Sequence, residues 1–157
     1  MHADKPDVAN FGFVRPPLVY LAAILAGVVM DLVWPLPWLP TGAAVWVGVA
    51  LLLSSVALFL AATGRFKAAG TPVRGNQPTT VIVRSGPYAF SRNPIYLAFS
   101  AFALAIACWL NSIWLLGTLG AAVSVMSFVV IPREERYLER RFGDEYLRYK
   151  AKVRRWF

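Results

Sequence analysis

The stretch from Pro94 to Ile131 reads PIYLAFSAFALAIACWLNSIWLLGTLGAAVSVMSFVVI, and none of its 38 residues is charged. Asn111-Ser112 interrupts it near the middle and leaves two segments of about 18 residues, each about 27 Å long as a helix. Because the hydrocarbon core of a bilayer is about 30 Å thick, the stretch predicts a tight hairpin of two membrane-spanning helices, at about 94–110 and 113–131.

Two more apolar segments, at about 18–34 and 43–62, precede this hairpin. The whole chain of 157 residues is 58% hydrophobic and only 15% charged, whereas ordinary soluble domains are ~25% charged. A soluble domain of this size buries only about 70% of the surface that its unfolded chain exposes. The excess apolar surface therefore predicts an all-α, polytopic membrane protein with four transmembrane helices, in which residues 1–157 form a single domain.

The charges mark the sidedness of these helices. All 16 Lys and Arg residues lie in the N-terminal tail, in the 63–93 loop or after Pro132, whereas the connections at 35–41 and 111–112 carry no charge. Four spans place the three basic segments on one side, and the positive-inside bias makes that side cytoplasmic. The formal charge of +8 therefore indicates contact with anionic lipid headgroups rather than with nucleic acid.

Several classes of chemistry lack the residues that they need. Cys108 is the only cysteine and His2 the only histidine, so the sequence predicts no disulfide, no metal centre and no Ser-His-Asp triad.

The charged C-terminal region, residues 133–155, carries an apolar stripe at helical spacing and predicts an amphipathic helix. Glu135 lies on this stripe, where a carboxylate is costly unless it is paired. Glu134 points about 100° away, so the two carboxylates should differ in role, and we expect Glu134 to meet solvent or a neighbouring arginine. The stripe consists of Ile131, Leu138, Phe142, Tyr146, Tyr149 and Val153.

The 63–93 loop contains five basic residues and no acid, which suits an anionic partner. Charge alone does not separate a bound anionic ligand from acidic lipid headgroups. Gly86-Pro87 predicts a turn, and Asn93-Pro94 predicts the start of the third helix.

The order of these motifs carries a resemblance. Gly86-Pro87-Tyr88, then Arg92-Asn93-Pro94-Ile95-Tyr96, a helical hairpin and Glu134-Glu135 resemble the isoprenylcysteine carboxyl methyltransferase and phospholipid methyltransferase family, over residues 64–157. The resemblance implies an integral membrane enzyme that moves a methyl group from S-adenosylmethionine to a lipid-like acceptor. It places the cofactor at the cytoplasmic face and implies these contacts: Tyr88, Arg92, Asn93, Pro94, Tyr96, Glu134 and Glu135. Many members have His where this chain has Asn93, and Asn cannot accept a proton.

The charges of the cofactor suggest roles for these residues. Arg92 or Arg84, beside the turn at Gly86, can bind its carboxylate as a bidentate partner. Glu135 can bind its ammonium group or a ribose hydroxyl, and Tyr88 and Tyr96 can offer aromatic faces. The candidate catalytic residues are therefore Glu135, Glu134 and Arg92.

The identity of the acceptor decides whether a base is needed. An amine such as a phospholipid headgroup must first lose a proton, for which Glu134 or Glu135 is the candidate, whereas the carboxylate of an isoprenylcysteine needs no base. The headgroup amine is the leading interpretation. The alternatives are the isoprenylcysteine carboxylate, a sterol-reductase-like enzyme that uses NADPH, and a scaffold that only binds anionic lipid.

Overall fold

The computed structural model describes residues 15–72 and 78–157. The N-terminal tail, which the charges assign to the cytoplasmic side, and Arg74 lie outside this part. The described residues contain no β-strand apart from an isolated parallel bridge between Ser91 and Arg154, so the prediction of an all-α fold is confirmed. The helices are α1 (Pro16–Val33), α2 (Thr41–Ala68), a short 3-10 helix (Gly86–Ala89), α3 (Pro94–Trp109), α4 (Ile113–Val125), α5 (Ile131–Phe142) and α6 (Asp144–Lys152).

A π-helical turn, Met126–Val130, joins α4 to α5 without a break. Three helices are then long and apolar enough to cross a membrane: Pro16–Val33, Gly42–Ala68 and Ile113–Phe142. The third predicted span forms a helix, α3, that is apolar but only 16 residues long, or about 24 Å. A multi-pass membrane protein follows from these helices, and the count of four spans stays a prediction.

Small residues let the helices pack closely. In this bundle α2 packs along α3, and α1 packs along α4. A Cβ atom on Gly27 of α1 would lie 2.8 Å from side-chain atoms of Leu115 and Thr118 in α4, and the Ser55 hydroxyl of α2 donates to the Ala98 carbonyl of α3. Such close approaches are typical of membrane helices. Large apolar side chains instead cover the outer faces, among them Leu25, Trp46, Leu53, Leu60 and Phe128.

The predicted break at Asn111-Ser112 is confirmed, because α3 ends at Trp109 and α4 begins at Ile113. Asn111 adopts a positive φ of 49°, which Asn tolerates better than most residues. Its side-chain oxygen accepts from the backbone N–H groups of Trp38 and Leu39, at 3.0 and 2.8 Å, and its amide donates to the Leu39 carbonyl. One side chain therefore ties the α3–α4 turn to the α1–α2 connection.

The C-terminal region differs from the single amphipathic helix expected over 133–155. It forms two helices, because Gly143 adopts φ 52° and ψ −130° and ends α5. Tyr146 and Tyr149 on α6 are buried as the stripe predicted, whereas α5 also buries Tyr137, which the stripe did not include. The Tyr137 hydroxyl accepts a hydrogen bond from the Thr79 backbone.

Candidate active site

The C-terminal residues lie against the segment that leads into α3. The Arg92 backbone N–H donates to the Arg154 carbonyl at 2.9 Å. The Arg155 carbonyl accepts from the Ser91 hydroxyl at 3.0 Å and from the Asn93 side-chain amide at 3.1 Å. Asn93 therefore uses a side-chain donor to hold the C terminus, and together with Pro94 it begins α3 as predicted.

Glu135 is buried in a cluster of cations. The Nε and Nη2 atoms of Arg155 both donate to its carboxylate at 2.8 Å, and the Arg92 Nη2 atom lies 2.9 Å from Oε1. The Lys150 Nζ atom lies 3.6 Å from Oε2. Arg155 also donates to the Ser127 carbonyl in the π-helical turn. The paired carboxylate that the apolar stripe required is thus present, and two of its partners come from the C-terminal region.

These cations keep Glu135 ionised. Glu135 follows Pro132, where the uncharged part of the long helix ends. Burial alone would raise the pKa of this carboxyl group. The hydrogen bonds from Arg155 and the charges of Arg92 and Lys150 outweigh burial and hold the pKa below its usual range.

Arg92 has hydrogen-bonding capacity left over. Its Nε and Nη1 atoms are buried and have no hydrogen-bond partner among the described residues, although buried N–H donors are usually satisfied. The Nη2 atom, which lies between these two donors in the guanidinium plane, faces Glu135. Because the two-donor edges of a guanidinium are Nε with Nη2 and Nη1 with Nη2, the Nε and Nη1 atoms donate in different directions. Arg92 can therefore donate to two separate polar groups while Glu135 holds its Nη2 atom.

Glu134 lies in different surroundings from Glu135. The expectation that Glu134 meets solvent or an arginine holds only in part: the residue is half-buried, and its Oε1 atom accepts a hydrogen bond from the Tyr96 hydroxyl at the start of α3. Burial and the neighbouring charge of Glu135 raise its pKa to about 7, although the hydrogen bond from Tyr96 partly opposes them. The helical wheel could not reveal this contact, because Tyr96 comes from another helix.

The remaining predicted residues are spread around this cluster. Tyr88 is buried, with its ring packed edge-on against Phe66 and its carbonyl accepting from the Tyr149 hydroxyl at 2.7 Å. Gly86 begins the 3-10 helix with φ +63°. Arg84 forms an exposed ion pair with Glu145, so it does not join Arg92 and Glu135.

Sequence reasoning missed Arg155 and Lys150. The signal for them was indirect: a carboxylate on an apolar stripe requires a cation, and the tail supplies several. Their spacing from Glu135 did not show which cation contacts its carboxylate. The chain leaves the helical conformation at Gly143, and α6 and the C-terminal residues then pack back against α5.

The described part of the chain is thus a helical membrane protein with a buried cluster of charged side chains at one end of the bundle. The family model for phospholipid methyltransferases matches residues 42–145, and the chain belongs to this family, as the motifs indicated. An uncharacterized protein of Haemophilus influenzae is 49% identical over 63 residues, which make up 40% of this chain and 98% of that protein. No solved structure matches the chain significantly. The matched range includes Arg92, Glu134 and Glu135 and ends before Lys150 and Arg155.

Proposed function

We propose that this protein transfers a methyl group from S-adenosylmethionine to the amine of a phospholipid headgroup, at the cytoplasmic face of a four-span membrane domain. Membership of the phospholipid methyltransferase family supports methyltransferase activity. The observation that carries the choice of acceptor is the contrast between Glu135, which is surrounded by cations, and Glu134, whose pKa is raised to about 7. Two adjacent carboxyl groups with opposite pKa shifts are typical of a site that handles protons.

Arg92 is the proposed cofactor-binding residue, because its Nε and Nη1 atoms have no hydrogen-bond partner among the described residues and can each donate to a polar group of the cofactor. Both oxygens of Glu135 are already bonded to cations, so its proposed role is to orient Arg92 and Arg155. When bound, S-adenosylmethionine supplies a methyl group activated by the sulfonium charge. Methyl transfer then depends on alignment and on exclusion of water, which positioned side chains provide.

Glu134 is the proposed base. A headgroup ammonium has no lone pair, so it must lose one proton before its nitrogen can form a bond to the methyl carbon. The Glu134 carboxylate accepts this proton, and the C–S electron pair leaves with sulfur, which gives S-adenosylhomocysteine and a methylated ammonium. The proton on Glu134 then passes to solvent. A base is most efficient when its pKa lies near the working pH, and the pKa of about 7 meets this condition.

The test is the pH profile of Glu134→Gln. Purified protein in lipid nanodiscs is given methyl-labelled S-adenosylmethionine and phosphatidylethanolamine. For the unmodified protein we expect the rate to rise with pH through about 7 and then level off, because Glu134 must lose its proton before it can accept one. Glu134→Gln should lower the plateau by a factor of about 10²–10³ and remove the inflection.

Glu139→Gln is the matched control, because Glu139 is a carboxylate of the same helix that bonds to Lys150, at the edge of the cluster, and not to Tyr96 or Arg92. It should leave both the plateau and the inflection unchanged. A rate in Glu134→Gln that keeps its inflection would contradict the role of Glu134 as base. Label found only as a base-labile ester on prenylated cysteine would contradict the amine acceptor, and NADPH-dependent reduction without methyl transfer would contradict the whole proposal.

A further inference from the structure

An open cleft of about 530 Å³ lies where α2 ends and the segment before the 3-10 helix passes beside it. It combines two arginines with apolar side chains, a composition that suits an amphipathic anion. The α2 helix becomes basic only in this last part, with Arg65 and Lys67, as expected where a spanning helix reaches the cytoplasmic surface. The cleft is lined by Arg65, Ala68, Ala69, Ile82, Val83, Arg84 and Ser85.

The Arg65 side chain lies directly against Gly86. A Cβ atom on Gly86 would lie 2.7 Å from the Arg65 Nε atom, and Gly86 also has φ +63°, so the absence of a side chain lets the guanidinium lie directly over the turn. Within the described ranges, Arg65 has no ion-pair partner. Its charge is therefore presented to the cleft, next to the 3-10 helix that carries Tyr88.

Arg84 is available for exchange. Its partner is Glu145, and the two side chains are 45% and 52% exposed. Exposed ion pairs of this kind contribute little to stability, so a stronger anion can replace Glu145. A phosphodiester is such an anion, because its oxygens accept charge-assisted hydrogen bonds from guanidinium groups.

We infer that this cleft binds the phosphodiester of the phospholipid acceptor, with Arg65 and Arg84 as its ligands and the half-buried Ile82 beside the glycerol and first acyl carbons. The inference rests on the proposed function and deepens it, because it assigns the phosphate and the amine of one headgroup to separate parts of the site. It makes the phosphate a determinant of specificity, so an amphipathic amine without phosphate is the poorer substrate.

The experiment measures binding as well as turnover. Binding is followed with monomeric dihexanoyl phosphatidylethanolamine and with dihexanoylglycerol, and methylation is followed with phosphatidylethanolamine and with sphingosine, an amphipathic amine without phosphate. The double variant Arg65→Gln, Arg84→Gln is compared with the double variant Arg148→Gln, Lys152→Gln, which removes the same charge from exposed positions of α6. Affinity for S-adenosylhomocysteine reports whether each variant keeps its cofactor site.

We expect Arg65→Gln, Arg84→Gln to weaken phosphatidylethanolamine binding and to raise its KM by about tenfold or more. Dihexanoylglycerol binding, the KM for sphingosine and the cofactor affinity should stay within about twofold. Millimolar inorganic phosphate should compete only weakly if the lipid is the ligand; full competition would assign the cleft to free phosphate and overturn the inference. If the double variant does not fold, Arg65→Lys and Arg84→Lys keep the charge and should each show a smaller rise in KM.

Three results would each overturn the phosphodiester site. The first is that Arg65→Gln, Arg84→Gln weakens the binding of phosphatidylethanolamine and of dihexanoylglycerol equally, and the second is that the α6 double variant weakens phosphatidylethanolamine binding as much. The third is that Arg65→Gln, Arg84→Gln loses affinity for S-adenosylhomocysteine. A failure of the unmodified protein to methylate either amine would contradict the proposed function instead, and the binding comparison would still decide the cleft. Glu145→Gln provides the converse test. Because it releases Arg84, it should tighten phosphatidylethanolamine binding about twofold and leave dihexanoylglycerol binding unchanged.

Discussion

The end of the bundle that contains Asn111 and the end that contains Glu135 both join segments distant in sequence, but with different chemistry. At the first, a neutral side chain uses both amide atoms to hold the α1–α2 connection. At the second, a buried carboxylate holds two arginines and a lysine, and two nitrogen atoms of Arg92, Nε and Nη1, have no partner in the part of the chain that the structure describes. The uncharged end therefore leaves one buried hydroxyl, that of Ser112, unpaired among the described residues, whereas the charged end leaves two guanidinium nitrogens that can donate to a ligand.

Removing the negative charge at the centre of the cluster should weaken ligand binding more than any other change. Glu135→Gln leaves Arg92, with only 9% of its side chain exposed, without its anionic partner. Breaking a buried pair in this way lowers the free energy of unfolding by about 3–5 kcal/mol. Because Arg155 and Lys150 are partly exposed, we expect a loss of stability at the lower end of this range. Affinity for S-adenosylhomocysteine should fall at least about 100-fold, measured by calorimetry.

Glu139→Gln is again the control for this change, because Glu139 is more exposed than Glu135 and shares only Lys150 with it, not the two arginines. It should change cofactor affinity by less than about twofold. Undiminished affinity in folded Glu135→Gln would show that the cluster supports the fold only.

A smaller effect is expected at the C terminus. Arg155→Lys keeps the charge but loses the paired Nε and Nη2 hydrogen bonds to Glu135. Cofactor affinity should fall about tenfold, with the affinity of Arg155→Ala lower still, because a lysine restores part of the attraction. If lysine and alanine gave the same loss, the role of Arg155 in orienting Glu135 would be wrong.

At the uncharged end, we expect a substitution of Asn111 to lower the stability of the fold and to leave cofactor binding unchanged. Asn111→Ala removes three hydrogen bonds from a residue with positive φ, at a cost of about 1–3 kcal/mol in the free energy of unfolding. Cofactor affinity should remain within about twofold. A loss of affinity as large as that in Arg155→Lys would mean that the two ends are coupled.

The positions of the helices could be predicted because they depend on features of the local sequence: long runs without a charged residue, and one polar interruption at Asn111-Ser112. The two apolar runs around Asn111 became α3 and the helix that begins with α4, with the break between them as expected, although this second helix continues through the π-helical turn to Phe142 instead of ending near 131. The end of α5 could not be predicted, because the apolar residues keep their helical spacing on both sides of Gly143. This spacing does not show that the backbone of Gly143 leaves the helical conformation.

The candidate site divides in the same way. Arg92 and Glu135 were predicted from motif and pattern, and the structure brings them into contact. Arg155 and the bond between Tyr96 and Glu134 depend on how separate elements meet, and no spacing in the sequence encodes that meeting.

The π-helical turn at Met126–Val130 has a consequence for how this protein can vary. Each residue added to or deleted from a helix rotates everything beyond it by about 100°. Deleting one residue there would leave the helix as apolar and nearly as long, so membrane insertion would proceed, but Glu135 would turn away from Arg92. The direction in which Glu134 and Glu135 point is therefore set by the number of residues in this helix and not by its hydrophobicity. A single-residue insertion or deletion in the helix would rotate both carboxylates relative to Arg92.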